Sequence, residues 1–162
     1  SDYFIHIVLM GGSTGRGYVI PLAEFNIYCD PEAAQVVFNS GLPLTMIGLD
    51  LAREAMFSHD FVKSFKNQNE TGHMLHDLFQ HYRSEDFEYG VKIYDVFTIL
   101  YLLQPQAFNV KEADVQIELA GQYTKGATVV DFESHYPNCT VVLSPVDKGY
   151  EDLFLDALNY CK

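Results

Sequence analysis

The residues of this sequence best suited to chemistry follow apolar segments, where an open α/β sheet binds its ligands. Glu24 and Asn26 are two positions apart and share one face if the segment between them is extended. A carboxylate beside an amide can bind a vicinal diol. Met10, followed by two glycines, ends the first apolar segment of the chain. These residues indicate a site for a ligand with neighbouring hydroxyl groups.

Asp95 is a second candidate, because it separates the aliphatic segment Val91-Lys92-Ile93 from an apolar segment that begins at Val96. Its carboxylate suits a metal ion, but an aspartate before an apolar helix is more often an N-cap. Glu24 and Asn26 also have an alternative role as loop residues that satisfy backbone groups. From the residues alone, both alternatives stay open.

The glycine-rich segment 11–17 does not predict a nucleotide phosphate loop. It reads Gly-Gly-Ser-Thr-Gly-Arg-Gly and lacks the Gly-Lys-[Ser/Thr] ending of such loops. We therefore do not expect ATP or GTP binding.

The elements that must position these residues alternate between strand and helix. The apolar segment ending at Met10 predicts a strand buried on both faces, and residues 44–49 predict a second. Between them, Asp30 as N-cap and Pro31 at the first position predict a helix to about Asn39. Strand, helix, strand and a further helical segment are typical of a parallel sheet with right-handed crossovers.

The remaining pattern completes the prediction. We expect helices in 52–89 with interruptions at 67–69 and Gly72, in 96–103 and in 149–160, an antiparallel pair at 115–119 and 127–132, and a short strand at 140–143. The predicted fold is α/β: a partial doubly wound, mostly parallel sheet flanked by helices, with a small antiparallel element near the C-terminus. We expect residues 1–162 to form a single domain.

Composition narrows the class of protein. Ten lysines and arginines against 22 aspartates and glutamates give a formal charge of -12, which disfavours binding to nucleic acid or to anionic membranes. The three cysteines show no disulfide or C-x-x-C spacing, and no apolar segment approaches the length of a membrane span. A cytoplasmic protein is the expectation.

Several motifs, taken in order, resemble the carboxy-terminal half of the nucleoside hydrolases of the inosine-uridine type. They are M-G-G, A-E-F-N-I-Y-x-D-P-E-A-A, G-L-P-L-T-M-I-G-L-D, Y-D-V-F and T-K-G-A-T-V-V-D. The resemblance implies hydrolysis of the N-glycosidic bond of a ribonucleoside, to free base and ribose, by a calcium-bound water. It also implies that Glu24 and Asn26 hold the ribose hydroxyls, that Met10 lies close to the sugar, and that Asp95 is a calcium ligand.

The sequence departs from the family pattern in three places. The aspartate-rich motif D-x-D-x-G-x-D-D, which supplies most calcium ligands and the general base, has no counterpart here. Tyr18 replaces an asparagine that commonly contacts the 5'-hydroxyl, and Tyr94 replaces a histidine that can protonate the leaving base. A phenol is a weaker acid than an imidazolium at neutral pH, although Tyr94 can still hydrogen-bond or stack on a base.

Three ring-bearing residues, His73, His76 and Tyr82, lie in the helical region that forms a wall of the base pocket in the family. His76 and Tyr82 are candidates for contact with the base, and a structural or exposed position on an amphipathic helix is the alternative.

Three hypotheses follow for the whole chain. It is a hydrolase relative that is inactive alone, or one half of an enzyme whose amino-terminal half is a separate polypeptide, or a non-catalytic protein that associates with itself or a partner. Half of a sheet leaves an apolar edge and face to be covered, so we expect a homo-oligomer or association with the missing half.

Overall fold

The computed structural model of the chain describes residues 6–82 and 90–161. Its strands are β1 (Ile7–Met10), β2 (Leu44–Ile47), β3 (Met56–Phe57), β4 (Val91–Lys92), β5 (Phe108–Ile117), β6 (Thr128–Asp131) and β7 (Cys139–Pro145). Its helices are α1 (Phe25–Cys29), α2 (Pro31–Phe38), α3 (Leu49–Glu54), α4 (His59–Ser64), α5 (Glu70–Tyr82), α6 (Val96–Leu103) and α7 (Gly149–Asn159).

Five strands form one sheet in the order β1-β2-β7-β5-β6, and β3 and β4 form a separate antiparallel pair. β2 pairs in parallel with both β1 and β7, and Met10 lies opposite Ile47 where β1 and β2 end. β5 is antiparallel to β7 and to β6. The predicted α/β architecture, with a parallel part and an antiparallel element near the C-terminus, is confirmed.

Helices cover both faces of this sheet, because successive side chains of a strand point to opposite sides. Ile47 and Val142 pack with residues of α3, α6 and α7 in one core. Met46 and Val141 pack with residues of α1 and α2 in the other. The alternation therefore gives the doubly wound arrangement that the sequence predicted.

The helical region predicted from residue 52 is wrong at its start, because Met56–Phe57 pairs with β4 as strand β3 and separates α3 from α4. Three further details differ from the sequence prediction. The second strand ends at Ile47, because Gly48 is already the N-cap of α3. β5 begins at Phe108, seven residues before the predicted start, since its first half is mostly exposed and polar and carries no strand-like apolar alternation. Gly72 lies inside α5, where an added Cβ would be 2.1 Å from the Phe65 carbonyl oxygen. This glycine permits close packing and does not interrupt the helix.

The break expected at 67–69 does exist. A 3-10 turn covers Phe65–Asn67, and the Asn69 side chain then accepts a 2.8 Å hydrogen bond from the Gly72 N–H at the start of α5. Residues 83–89, the last part of the predicted helical region, lie outside the described residues, as do residues 1–5 of the first predicted strand.

Helix α6 begins where sequence predicts and ends before Pro105. It is apolar almost all round, a composition typical of a helix buried on every side. Nevertheless Ile99, Leu102 and Leu103 are each more than half exposed. This helix therefore presents an apolar face that no other part of the described chain covers.

Candidate functional site

A cavity of about 200 Å³ lies beyond the carboxyl ends of β1 and β2. It is lined by Met10, Tyr18, Glu24, Asn26, Leu49, Tyr94 and Asp95. The fold brings together residues separated by up to 85 positions, and six of the seven are residues that sequence analysis had singled out. Leu49 is the exception: its motif was recognised, but it was predicted to lie at the end of a strand.

Glu24 is the most constrained of these residues, since it is only 2% exposed. Its Oε2 accepts hydrogen bonds from the N–H groups of Gly12 (3.0 Å) and Ile27 (3.2 Å), and its Oε1 accepts one from Asn26 N–H (2.9 Å). Glu24 is therefore the N-cap of α1. Acting only as an acceptor is what an ionised carboxylate does. The alternative role, in which Glu24 satisfies backbone groups, is thus real and coexists with a place in the cavity wall.

The loop after β1 is held against both β2 and β6. Gly12 has φ +76°, and its carbonyl oxygen accepts a 3.0 Å hydrogen bond from Leu49 N–H. A Cβ at this position would lie 2.8 Å from Thr128 Cγ2 and 2.9 Å from Met46 Sδ. Thr128 Oγ1 also accepts from Ser13 N–H at 3.0 Å and donates to the Ser13 carbonyl. Only glycine fits at Gly12, and the loop carries the Glu24 carboxylate in a fixed position.

Asn26 is exposed in the first turn of α1. Its Nδ2 is 3.3 Å from both the carbonyl oxygen and the Sδ of Met10. These contacts orient the amide beside the end of β1. Asn26, Met10 and Glu24 therefore form one edge of the cavity, and their contact with a sugar stays a prediction.

Asp95 does not have the capping role that its position before α6 suggested. Its backbone is helical (φ -64°, ψ -32°), and its side chain makes no capping hydrogen bond. Thr98 Oγ1 donates to the Asp95 carbonyl at 2.7 Å, a contact that satisfies none of the N–H groups of the first turn. The exposed Asp95 carboxylate is one of the groups that line the cavity.

Tyr18 and Tyr94 line this cavity and also a neighbouring one of about 110 Å³, which both share with Leu49. The smaller cavity is completed by Ala52, Arg53 and Lys92. Arg53 and Lys92 could not be predicted from the sequence, because they line one cavity only when β3, which follows α3, pairs with β4. Tyr18 is 62% exposed, so its ring stands at the rim of both cavities.

The base-contact candidates on α5 are placed differently. His76 is buried, with its Nδ1 2.9 Å from Asp77 Oδ1, and is not among the residues that line the cavity. The hydrogen bond with His76 and the nearby charge of His73 lower the pKa of the Asp77 carboxyl. Tyr82 ends α5, and its side chain lies outside the described part of the chain. A base contact by either residue stays a prediction.

The donor groups present do not by themselves fit calcium. Calcium takes six to eight oxygen ligands, whereas the carboxylates lining the cavity are Asp95 and Glu24, and Glu24 already accepts three hydrogen bonds. Within residues 6–82 and 90–161, no three histidine, cysteine, aspartate or glutamate side chains are grouped so as to hold a metal ion. Asp95 is suited to be one ligand among several, and the others would have to come from elsewhere.

A larger cavity, of about 500 Å³, lies at the opposite edge of the parallel strands, near the starts of β2 and β7. Its lining includes His6 and the buried Cys139. Burial raises the pKa of the Cys139 thiol to about 12, so this thiol is a poor nucleophile at neutral pH. Volume alone therefore does not identify the functional site.

Comparison with known proteins decides the family. The sequence model of the inosine-uridine preferring nucleoside hydrolases matches residues 2–151. The chain belongs to this family. A non-specific ribonucleoside hydrolase, RihC of Salmonella paratyphi B, is 51% identical over 157 residues, which cover 95% of this chain and 51% of the relative.

Solved structures of family members agree with the fold of this nucleoside hydrolase chain. The purine-preferring ribonucleoside hydrolase of Gardnerella vaginalis matches with a TM-score of 0.77 and 27% identity, over 93% of this chain and 49% of that protein. A plant nucleoside hydrolase matches with a TM-score of 0.79 at 20% identity, over 97% of this chain and 54% of the plant protein.

The chain spans about half the length of the curated relatives it matches. Within the described residues, the structure contains no helix that is both long and apolar enough to cross a membrane.

Proposed function

We propose that this chain supplies the ribose-binding half of an enzyme that hydrolyses the N-glycosidic bond of ribonucleosides, releasing free base and ribose. One observation carries the proposal: the residues that the family motifs assign to sugar and metal binding line a single cavity at the carboxyl edge of the sheet. Family membership supports the same reaction class.

The sugar's vicinal hydroxyls fit the edge formed by Glu24, Asn26 and Met10. A carboxylate offers about four acceptor positions, and backbone N–H groups occupy three of those of Glu24. Oε1, which accepts only the Asn26 N–H, keeps a position for a sugar hydroxyl. The Asn26 amide supplies both a donor and an acceptor beside it. In this arrangement Glu24 both holds the loop after β1 in position and binds a sugar hydroxyl.

The negative charges of Glu24 and Asp95 also suit the chemistry. Cleavage of an N-glycosidic bond passes through an oxocarbenium-like state with positive charge on the ribose, which nearby carboxylates stabilise. We propose that Tyr94, which lines the cavity, hydrogen-bonds to the leaving base or stacks on it. Among the described residues that line the cavity, no carboxylate besides Glu24 and Asp95 is present to act as a general base on water, so we infer that the chain alone does not turn over nucleosides.

The apolar face of α6 favours a related proposal about partners. Ile99, Leu102 and Leu103 are exposed on the helix that directly follows Asp95. A contiguous apolar patch of this kind marks an association surface. We propose that a polypeptide equivalent to the other half of the family's enzymes, or a second copy of this chain, covers it, and that calcium binds only in that assembly. We also propose a cytoplasmic location, with which the three free cysteines are consistent. A role in purine and pyrimidine salvage follows from the proposed reaction and not from the cysteines.

The proposal is tested by complementation. The pure chain is incubated with inosine, uridine and cytidine plus calcium, alone and together with the half of Salmonella RihC that it does not match. We expect base release only in the mixture, and loss of that release with Asp95→Ala. Turnover by the chain alone that Asp95→Ala abolishes would contradict the inference that it is incomplete. Light scattering on the same samples separates self-association from pairing with the added half.

A further inference from the structure

The small cavity beside the candidate ribose site carries the opposite charge. The ribose cavity is lined by the carboxylates of Glu24 and Asp95. The described residues that line the smaller cavity include two cations, Arg53 of α3 and Lys92 of β4, and no acidic side chain. The whole chain has ten lysines and arginines and a net charge of -12, so two cations and no acidic side chain at one small cavity make this part of the surface unusually positive.

Arg53 is held in place by a hydrogen bond to the backbone of a distant loop. One nitrogen of its guanidinium donates to the carbonyl oxygen of Arg16, in the loop between β1 and α1. The planar guanidinium has five N–H donors, so the others remain available for a second acceptor. Arginine binds carboxylate and phosphate groups with paired hydrogen bonds, and lysine adds a point charge. The pair therefore has the chemistry of an anion site.

The two cavities share three wall residues, Tyr18, Leu49 and Tyr94, so one ligand can extend from the first to the second. A volume of about 110 Å³ exceeds that of a single water molecule, which occupies about 30 Å³ in the liquid. It is large enough for a phosphate or carboxylate group.

We propose that the cavity lined by Arg53 and Lys92 is an anion subsite, which binds a phosphate or carboxylate group carried by the ribosyl ligand. The inference rests on the proposed role of the neighbouring cavity in binding ribose. The anion has two chemical sources, a phosphate ester on the sugar or a carboxylate on the base.

Two matched ligand pairs distinguish these sources. Calorimetric titration of the full chain compares uridine with uridine 5'-monophosphate, and uridine with orotidine, which differs from uridine by one carboxylate on the base; ribose alone is titrated as the reference. We expect the anionic member of one pair to bind about tenfold more tightly than its neutral partner. A preference within the first pair assigns the source to the sugar, and a preference within the second assigns it to the base.

Variants of the two cations test whether the preference for the anionic ligand depends on this cavity. Arg53→Gln and Lys92→Gln should each reduce the preference about threefold, since each removes one positive charge. Lys63→Gln, the same charge change at an exposed position of α4, should leave it unchanged. Because Arg53 and Lys92 lie on different elements, a folding defect in one variant leaves the other to test the proposal.

Each remaining outcome has a definite meaning. Equal binding within both pairs, with ribose still bound, overturns the anion subsite and leaves the ribose site standing. A preference that persists in the double variant Arg53→Gln, Lys92→Gln places the anion elsewhere and also overturns it. Failure of ribose itself to bind rejects the proposed function, and the subsite with it.

Discussion

Replacing Glu24 by glutamine tests how the cavity wall is held together. Glutamine has the same shape, but one carboxylate oxygen becomes an amide nitrogen, which cannot accept a hydrogen bond. If the amide oxygen takes the place of Oε2, the N–H groups of Gly12 and Ile27 keep their acceptor and that of Asn26 loses it. In the opposite orientation, the N–H groups of both Gly12 and Ile27 lose their acceptor. The first orientation therefore gives the smaller loss of stability, which is a lower limit.

The expected magnitude follows from these bonds. A hydrogen bond to a charged group contributes about 1.5 to 3 kcal/mol, and the two retained bonds weaken by roughly half when their acceptor becomes neutral. Glu24→Gln should therefore lower the free energy of unfolding by about 3 kcal/mol, a large part of the 5 to 15 kcal/mol of a typical domain.

Urea unfolding followed by circular dichroism measures this change. Glu32→Gln is the matched control, because Glu32 lies in the first turn of the next helix but is exposed and forms an ion pair with Lys125 at the surface. We expect the control to unfold at the wild-type urea concentration. If Glu24→Gln also does so, the three backbone hydrogen bonds do not fix the loop, and the structural role given to Glu24 is wrong.

Three further predictions concern single residues. Gly12→Ala should lower the free energy of unfolding by at least about 2 kcal/mol, because the positive φ of Gly12 and the nearby Thr128 side chain both oppose a Cβ. Thermal melting measures this change. Gly15→Ala is the control, because a Cβ at Gly15 meets nothing within 4 Å. At pH 8 a thiol reagent should modify the two exposed cysteines of the native chain and reach Cys139 only after unfolding. Burial raises the pKa of the Cys139 thiol in the folded chain from 9 to about 12, so the stability contributed by this buried thiol should decline as pH rises from about 9 towards 12. Modification of all three thiols in the native chain would contradict the protection of Cys139 and this pH dependence. Asn26→Ala should weaken ribose binding about tenfold without changing the melting temperature, since the side chain is exposed.

The sequence predicted which residues line the cavity better than it predicted the elements around it. Met10, Glu24, Asn26 and Asp95 were identified because motif order and the strand-end rule for α/β sheets both point to one edge. The hydrogen bond from Gly12 N–H to Glu24 was not predictable, since it depends on how the loop after β1 closes onto the start of α1.

Other features could not be found because they arise only from tertiary packing. The first half of β5 is polar and exposed, so pairing with β7, and not its own residue pattern, makes it a strand. The N-cap interpretation of Asp95 was reasonable from sequence, but the residue has helical backbone angles and its side chain is left for the cavity. Arg53 and Lys92 are 39 positions apart and line the same cavity only because β3, which follows α3, pairs with β4.

A ribose titration followed by two-dimensional NMR tests the central claim most directly. The account predicts that millimolar ribose shifts the amide resonances of Met10, Glu24, Asn26 and Asp95 together, and that about tenfold more ribose is needed for the same shifts in Asn26→Ala. If those resonances stay unmoved while ribose shifts residues around Cys139 at the opposite edge of the sheet, or shifts none at all, this chain does not carry the ribose-binding half-site.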